Sequence, residues 1–214
     1  MRLDHVSYVA SHDQISDVVN RIGSQIGTAF VDGGIHPKFG TRNFTAPLLN
    51  DQYIEVVCPL EHPATEQTAW GRAVSKKAKE GGGWFTWVFS TNNLIPIETK
   101  FGREATESYR TRPNGTELKW KQIGVSEITE SRGFPFFIQW LTMDHPAQDG
   151  TPKAEIQKIV ISDHSQLSDS WFRDEIFKSI DKVVIEWADP LNHEGQIGII
   201  SIQISTPSGS VTLT

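Results

Sequence analysis

The stretch Tyr53-Ile-Glu-Val-Val-Cys-Pro-Leu-Glu-His-Pro-Ala64 returns downstream as Phe137-Ile-Gln-Trp-Leu-Thr-Met-Asp-His-Pro-Ala147. Each copy runs aromatic, Ile, Glu or Gln, an apolar run, then an acid followed by His-Pro-Ala. An apolar strand that closes twice on the same polar punctuation marks a duplicated unit, and such repetition takes precedence over local readings. One polar residue in each copy, Glu55 or Gln139, interrupts a run that otherwise reads as buried strand. A carboxylate in that setting must find a partner, a metal or water.

Upstream of the first copy, Leu3 to Ala10 reads as a strand with His5 on the face of Leu3, Ser7 and Val9. Ser11 to Gln14 fits a capping box, and Ile15, Val18, Val19 and Ile22 follow at helical spacing before Gly23 as a stop. A short strand over 28–32, a glycine turn at Gly33-Gly34 and a strand from Thr41 to Ala46 complete a βαβββ order over residues 1–63. In the loop from Gly33 to Asn43, glycines permit close backbone approach, while His36, Thr41 and Asn43 offer donors and acceptors. A polar hairpin rim facing water is the plainer reading of the same residues.

Residues 64–83 read as a connecting helix with Trp70, Ala73 and Val74 on one side, Gly71 as its one breaker and a triple-glycine stop. Lys76, Lys77 and Lys79 sit where the helix dipole favours cations, so they need no binding role. A second βαβββ unit occupies 84–150: Trp84 to Ser90 is too apolar for a strand with one wet face, and a helix follows from Asn93 to Phe101. Asn114-Gly115 predicts a two-residue hairpin with Arg110 opposite Lys119 and Tyr109 opposite Trp120. That register groups Arg110 and Arg112 with Glu117, Lys119 and Lys121 on one face. Turned inward, this face would favour an anionic ligand; turned outward, it is an ordinary solvated surface. Residues 151–214 read as a third βαβββ unit with a helix from Ser165 to Ile176, and the odd unit invites a homodimer.

A formal charge of -6 with both signs interspersed argues against a nucleic-acid partner. The lack of an apolar leader or spanning run argues against secretion and the membrane, and the single Cys58 fits a reducing cytoplasm. Cys58 itself, between Val57 and Pro59, reads as inert. Glu61-His62-Pro63 and Asp144-His145-Pro146 read as strand ends that cap the next segment.

The segments Leu-Asp-His-Val, His36-x-x-x-Gly40-Thr-x-Asn43, Tyr-Ile-Glu-Val-Val and Pro-Phe-Phe-Ile-x-Trp resemble the glyoxalase-like branch of the vicinal oxygen chelate (glyoxalase/bleomycin resistance/dioxygenase) superfamily. The resemblance covers about two-thirds of the chain, residues 1 to about 140 of 214. It implies an α+β fold whose βαβββ modules curl into an open half-barrel sheet with helices outside and a ligand cleft between the first two modules. In metal-using members the ligands project from first and last strands, which nominates His5, Glu55 and Gln139 for one divalent ion. The second module departs from that pattern, having no histidine in its first strand. Glu55 is the expected catalytic group, acting as a base if burial raises its pKa. His36, Thr41, Asn43, Arg110, Arg112 and Trp140 are the expected substrate-binding set. Two functions follow: a metal-assisted lyase or isomerase acting on an oxygen-bearing, anionic metabolite, or a sequestration protein of the bleomycin-resistance type.

Overall fold

The computed structural model describes residues 1–129, 133–164, 169–178, 180 and 182–214. The first module consists of β1 (Arg2–Val9), α1 (Ile15–Ile26), β2 (Val31–His36), β3 (Thr41–Leu48) and β4 (Gln52–Pro59). After the connection come β5 (Gly83–Ser90), α4 (Ile95–Phe101), β6 (Thr106–Thr111), β7 (Glu117–Ile123) and β8 (Phe136–Trp140). Each module has the same strand pattern, its first strand parallel to its fourth and the other pairs antiparallel. The modules join through antiparallel β1 and β5 to give the order β1-β4-β3-β2-β6-β7-β8-β5, a closed barrel.

The closure corrects the expectation of an open half-barrel. It is made at a narrow seam, the β2–β6 contact, where Ile35 opposite Thr111 is the paired position. Gly33 and Gly34 make the approach possible: they lie inside β2, where a turn was expected. A Cβ at Gly33 would collide with the Arg110 guanidinium, and one at Gly34 with the Thr111 carbonyl. The hairpin turn lies at 37–40 instead, with Gly40 at φ 62. Helix α1 likewise runs past its expected stop at Gly23, ending on left-handed Gly27.

The β6–β7 hairpin also departs from its expected register. Arg110 pairs with Leu118 and Tyr109 with Lys119, and Gly115 (φ 85) donates its N–H to the Arg112 carbonyl. The loop therefore has three residues with a left-handed glycine, rather than two. One residue of slip moves every side chain to the other face. Arg110 thus lies buried alongside Leu118 and Trp120, while Lys119 remains outside and exposed.

The connecting segment forms two helices, α2 (Pro63–Gln67) and α3 (Ala69–Lys79). The break falls at Thr68, which is extended and accepts the Gly71 N–H on its hydroxyl, and not at the glycine. Gly71 packs where any side chain would strike the carbonyls of Thr65 and Phe39, which lets α3 press Trp70 into the barrel end.

The C-terminal elements are β9 (Glu155–Ser162), α5 (Ser170–Phe177), β10 (Val184–Ala188), β11 (Gly198–Thr206) and β12 (Gly209–Leu213). The expected helix start at Ser165 and its Leu167 lie outside the described residues. Although the element order is βαβββ, the sheet order is β10-β9-β11-β12, so this unit does not repeat the module topology. It covers the outer face of β5: Trp84, Trp87 and Phe89 share one apolar cluster with Ile199, Ile202 and Ile204. The opposite face of β5 contributes Phe85 and Val88 to the barrel core. Burial on both faces explains why this strand is apolar throughout. Among the described residues, no helix is long and apolar enough to cross a membrane.

Candidate active site

The barrel encloses a small cavity whose polar lining is His5, His36, Asn43, Glu55, Arg110 and Gln122. Phe39, Tyr53, Trp70, Trp120, Phe136 and Trp140 form most of its walls. Its volume is about 40 Å³. At roughly 10–15 Å³ per water-sized probe, that is room for about three waters.

Alternation along the strands explains the lining. On β4, Tyr53, Glu55 and Val57 point inward, while Ile54, Val56 and Cys58 pack outward. Cys58 is fully buried, and burial pushes its thiol up to about 11, in keeping with an inert role. On β1 the alternation is broken. The register against β5 passes from Leu3 opposite Phe89 to His5 opposite Val88, leaving Asp4 as an extra residue in a bulge. Leu3 therefore packs outward with Val6, not on the face of His5 as regular alternation would have it. Both Asp4 and His5 are buried.

The bulge creates a hydrogen-bonded hub. One Asp4 oxygen lies 2.8 Å from His5 Nδ1; the other lies 3.1 Å from His145 Nε2 and accepts from Trp140 Nε1 at 3.2 Å. Arg2 stands 3.3 Å away. Burial alone would raise the Asp4 pKa, but the hydrogen bonds from His145 and His5, with their charge interactions, hold it well below the usual carboxylate range. An ionised Asp4 draws the His5 proton to Nδ1, which leaves Nε2 as the acceptor on the cavity side. The Tyr53 ring stacks on the imidazole at 4.4 Å between centroids and fixes its plane.

A second chain of bonds crosses the first module. Glu55 accepts from Ser7 Oγ at 2.6 Å and from Asn43 Nδ2 at 2.7 Å, and Arg110 donates through Nη1 to Asn43 Oδ1 at 2.8 Å. Burial again opposes ionisation of Glu55, but His5, His36 and the two hydrogen bonds outweigh it, so its pKa is lowered. The rise that would have made Glu55 a good base does not occur. His36 is held by Thr41 Oγ1 at 2.9 Å, and burial lowers its pKa to about 4 despite the pull of Glu55. Thr41 thus orients His36 and is not itself part of the cavity lining.

Gln139 and Arg112 are not in the cavity. Gln139 stands opposite Lys121, between Ile138 and Trp140, which line the cavity together with Phe136 of the same strand. Counted back from the shared histidine, Glu55 is seven residues before His62, and Ile138 is seven before His145. Aligned from the aromatic end, the copies differ by one residue in length, which brings Gln139 into a correspondence that the pleat assigns to Ile138. Arg112 pairs with both Asp149 oxygens at 2.8 and 2.7 Å, tying the hairpin to the chain beyond β8.

A divalent ion was expected on His5, Glu55 and Gln139. Gln139 is turned away, both Glu55 oxygens already accept hydrogen bonds, and the cationic Arg110 lies among the lining residues. Among the described residues, no group of three His, Cys, Asp or Glu side chains could hold a metal ion. The donor set does not fit the expected site.

Asp4 and His145 are the residues that strand patterning missed. Asp4 stood in the Leu-Asp-His-Val segment beside His5, and the signal for His145 was the repeated acid-His-Pro-Ala: His62 and His145 each accept a backbone N–H on Nδ1, from Ala64 and Ala147, as expected of caps. Only His145 also reaches the Asp4 hub. His145, Arg2 and Trp140 line an external groove of about 420 Å³, and Trp140 is common to the groove and the cavity.

A family model described as Glyoxalase-like domain matches residues 3–173. The chain belongs to that family. A hypothetical protein from Staphylococcus aureus superposes with a TM-score of 0.57 at 16% identity, over 99% of this chain and 84% of its own. This likeness extends the shared fold through the C-terminal sheet. Methylmalonyl-CoA epimerase from Mycobacterium tuberculosis gives a TM-score of 0.43 at 14% identity, over 65% and 86% of the two chains. The Streptomyces coelicolor epimerase in complex with 2-nitronate-propionyl-CoA gives 0.44 at 14% identity, over 66% and 99%. No curated protein matches the chain.

Proposed function

We propose that the barrel cavity is the active centre of an acid–base enzyme of the lyase or isomerase class, acting on a small oxygen-bearing metabolite. The observation that carries this reading is the Asp4–His5 pair, a buried carboxylate 2.8 Å from a cavity-lining imidazole. His5 Nε2 takes a proton from a carbon next to a carbonyl, and the C–H electron pair moves onto the carbonyl oxygen as an enolate. Asp4, with Glu55 nearby, stabilises the resulting imidazolium, and the proton returns to the same or the neighbouring carbon. Glu55 serves as a fixed negative charge and not as the base. The roles given to His36, Asn43, Arg110 and Trp140 are in substrate placement, and that of Thr41 is to orient His36.

Proton NMR in D₂O tests the reading directly, by following exchange of the α-protons of dihydroxyacetone and pyruvate. Exchange above the buffer rate is expected for the parent, with a loss of about 10²-fold or more in His5→Gln. The aromatic walls also suit sequestration without chemistry. Ligand binding with no exchange in any carbonyl compound would favour that second reading.

A further inference from the structure

Arg110 is 2% exposed, yet only part of its hydrogen-bonding capacity is used. Nη1 donates to Asn43 Oδ1, and Nη2 is buried without a hydrogen-bond partner among the described residues. The partner of Nη1 is a neutral amide. Glu55, the carboxylate beyond that amide, has both oxygens engaged by Ser7 and Asn43, so the guanidinium has no direct counter-ion there. Arg112 is satisfied by Asp149 and does not compete for a ligand in the cavity. A buried donor left unmade costs stability, and a buried guanidinium makes its strongest bonds to anionic oxygens.

The sequence around Arg110 is built for this placement. Gly33 leaves room for the guanidinium beside β2, and the three-residue hairpin loop turns Arg110 inward. The cavity beside it is small and has Trp120 and Phe136 among its walls. Flat walls and a volume of about 40 Å³ suit a planar group better than a tetrahedral one.

We infer that Arg110 is a carboxylate anchor, so that the cavity selects small carboxylic acids, with the carboxylate on the guanidinium and the reacting carbon towards His5. This rests on the cavity being the ligand site proposed above.

The test is calorimetric titration at constant ionic strength with acetate and pyruvate, with acetamide as the uncharged twin of acetate and with inorganic phosphate. Acetate and pyruvate should bind the parent at least tenfold more tightly than acetamide, and Arg110→Met should abolish that preference. Arg110→Lys should recover only part of it, since a point charge replaces the planar fork. A measurement on the parent chain keeps the test open should a variant not fold: the side-chain N–H resonances of Arg110 should shift with acetate and stay in place with acetamide. Equal binding of acetate and acetamide, or an Arg110→Met chain that keeps the preference, overturns the anchor. Phosphate binding that excludes acetate overturns it in favour of a phosphate site. If dihydroxyacetone exchanges its protons but carboxylates do not bind, the anchor fails and the enzyme reading stands. If carboxylates bind through Arg110 but no compound exchanges, the anchor stands and the enzyme reading falls.

Discussion

The two modules share one topology and carry opposite chemistry on their inner faces. The first presents His5, Ser7, Asn43 and Glu55, and the second presents Val88, Trp120, Phe136 and Ile138 at the corresponding depth, with Arg110 as its one charge in the cavity lining. Val88 stands opposite His5 in the sheet, and Ile138 takes the place of Glu55 when the copies are aligned on their histidines. Duplication thus preserved the strand order while the carboxylate and the imidazoles of the cavity stayed in the first module, and the second supplies mostly aromatic and aliphatic wall with Arg110 and Gln122 as its polar members. A symmetric metal site would need acids or imidazoles from both halves; a one-sided site can instead place a base against a dry surface.

The largest expected effect comes from restoring the missing symmetry. Ile138→Glu puts a second carboxylate into the same small cavity as Glu55 and should cost about 3–5 kcal/mol in urea unfolding. Part of that loss should be recovered with Zn²⁺ or Ni²⁺, since the variant then holds His5 and two carboxylates. Gln139→Glu, one residue along and turned away, should change stability by about 0.5 kcal/mol or less and gain no metal. Equal behaviour of the two variants would break the assignment of faces on β8, and with it the contrast between modules.

The dryness of the polar half can be read from pH. His36 is held neutral, with a pKa near 4 against 6.5 for a free imidazole. The unfolded chain therefore binds a proton that the folded chain refuses between these values. The contribution is fully present above pH 6.5 and lost as pH falls towards 4, by about 3 kcal/mol in total for a shift of this size. The pKa values of Asp4 and Glu55 are shifted down, so their stabilisation is present above the carboxylate range and is lost on acidification below it. His36→Gln should flatten the stability profile between pH 6.5 and 4 and leave the acid limb in place. A profile that keeps its slope in the variant would mean that His36 is hydrated, and that the polar half is wetter than its burial implies.

Much of this was legible because period-two patterning is robust over uninterrupted strands. The burial of Glu55 and Cys58 follows from it, as does the double burial of Trp84 to Ser90, whereas His36 and Asn43 stood out only as polar residues of a glycine-rich loop. Three of the misreadings share one physical source, a single inserted residue. A bulge at Asp4 breaks the phase of β1, a third loop residue at Gly115 reverses the faces of the β6–β7 hairpin, and a one-residue difference in length confuses Gln139 with Ile138. Each shifts side chains by one position, which in a strand means the opposite face. Barrel closure was not legible because it depends on Gly33-Gly34 meeting a strand about 75 residues away, and a glycine pair signals a turn at least as strongly as a close approach.

The twin histidines give the finest comparison. His62 and His145 follow the same motif, have nearly the same backbone angles, and each accepts a backbone N–H at 3.1 Å. They differ in what the other ring nitrogen meets. His62 is exposed, whereas His145 is 7% exposed and places Nε2 3.1 Å from Asp4. Loss of an exposed cap costs about 1 kcal/mol, so His62→Ala should shift the urea midpoint modestly and leave chemistry unchanged. His145→Ala loses the same cap and also one donor to a buried carboxylate, which should raise the total to about 2–3 kcal/mol. Because Nδ1 of His145 is held as an acceptor by the Ala147 N–H, its proton sits on Nε2 and is given to Asp4. With that donor gone Asp4 becomes easier to protonate, its hold on the His5 tautomer weakens, and α-proton exchange should slow and acquire a steeper acid limb. Equal costs for the two alanine variants, with exchange unaffected in both, would reduce the repeated motif to a pair of caps and remove His145 from the site.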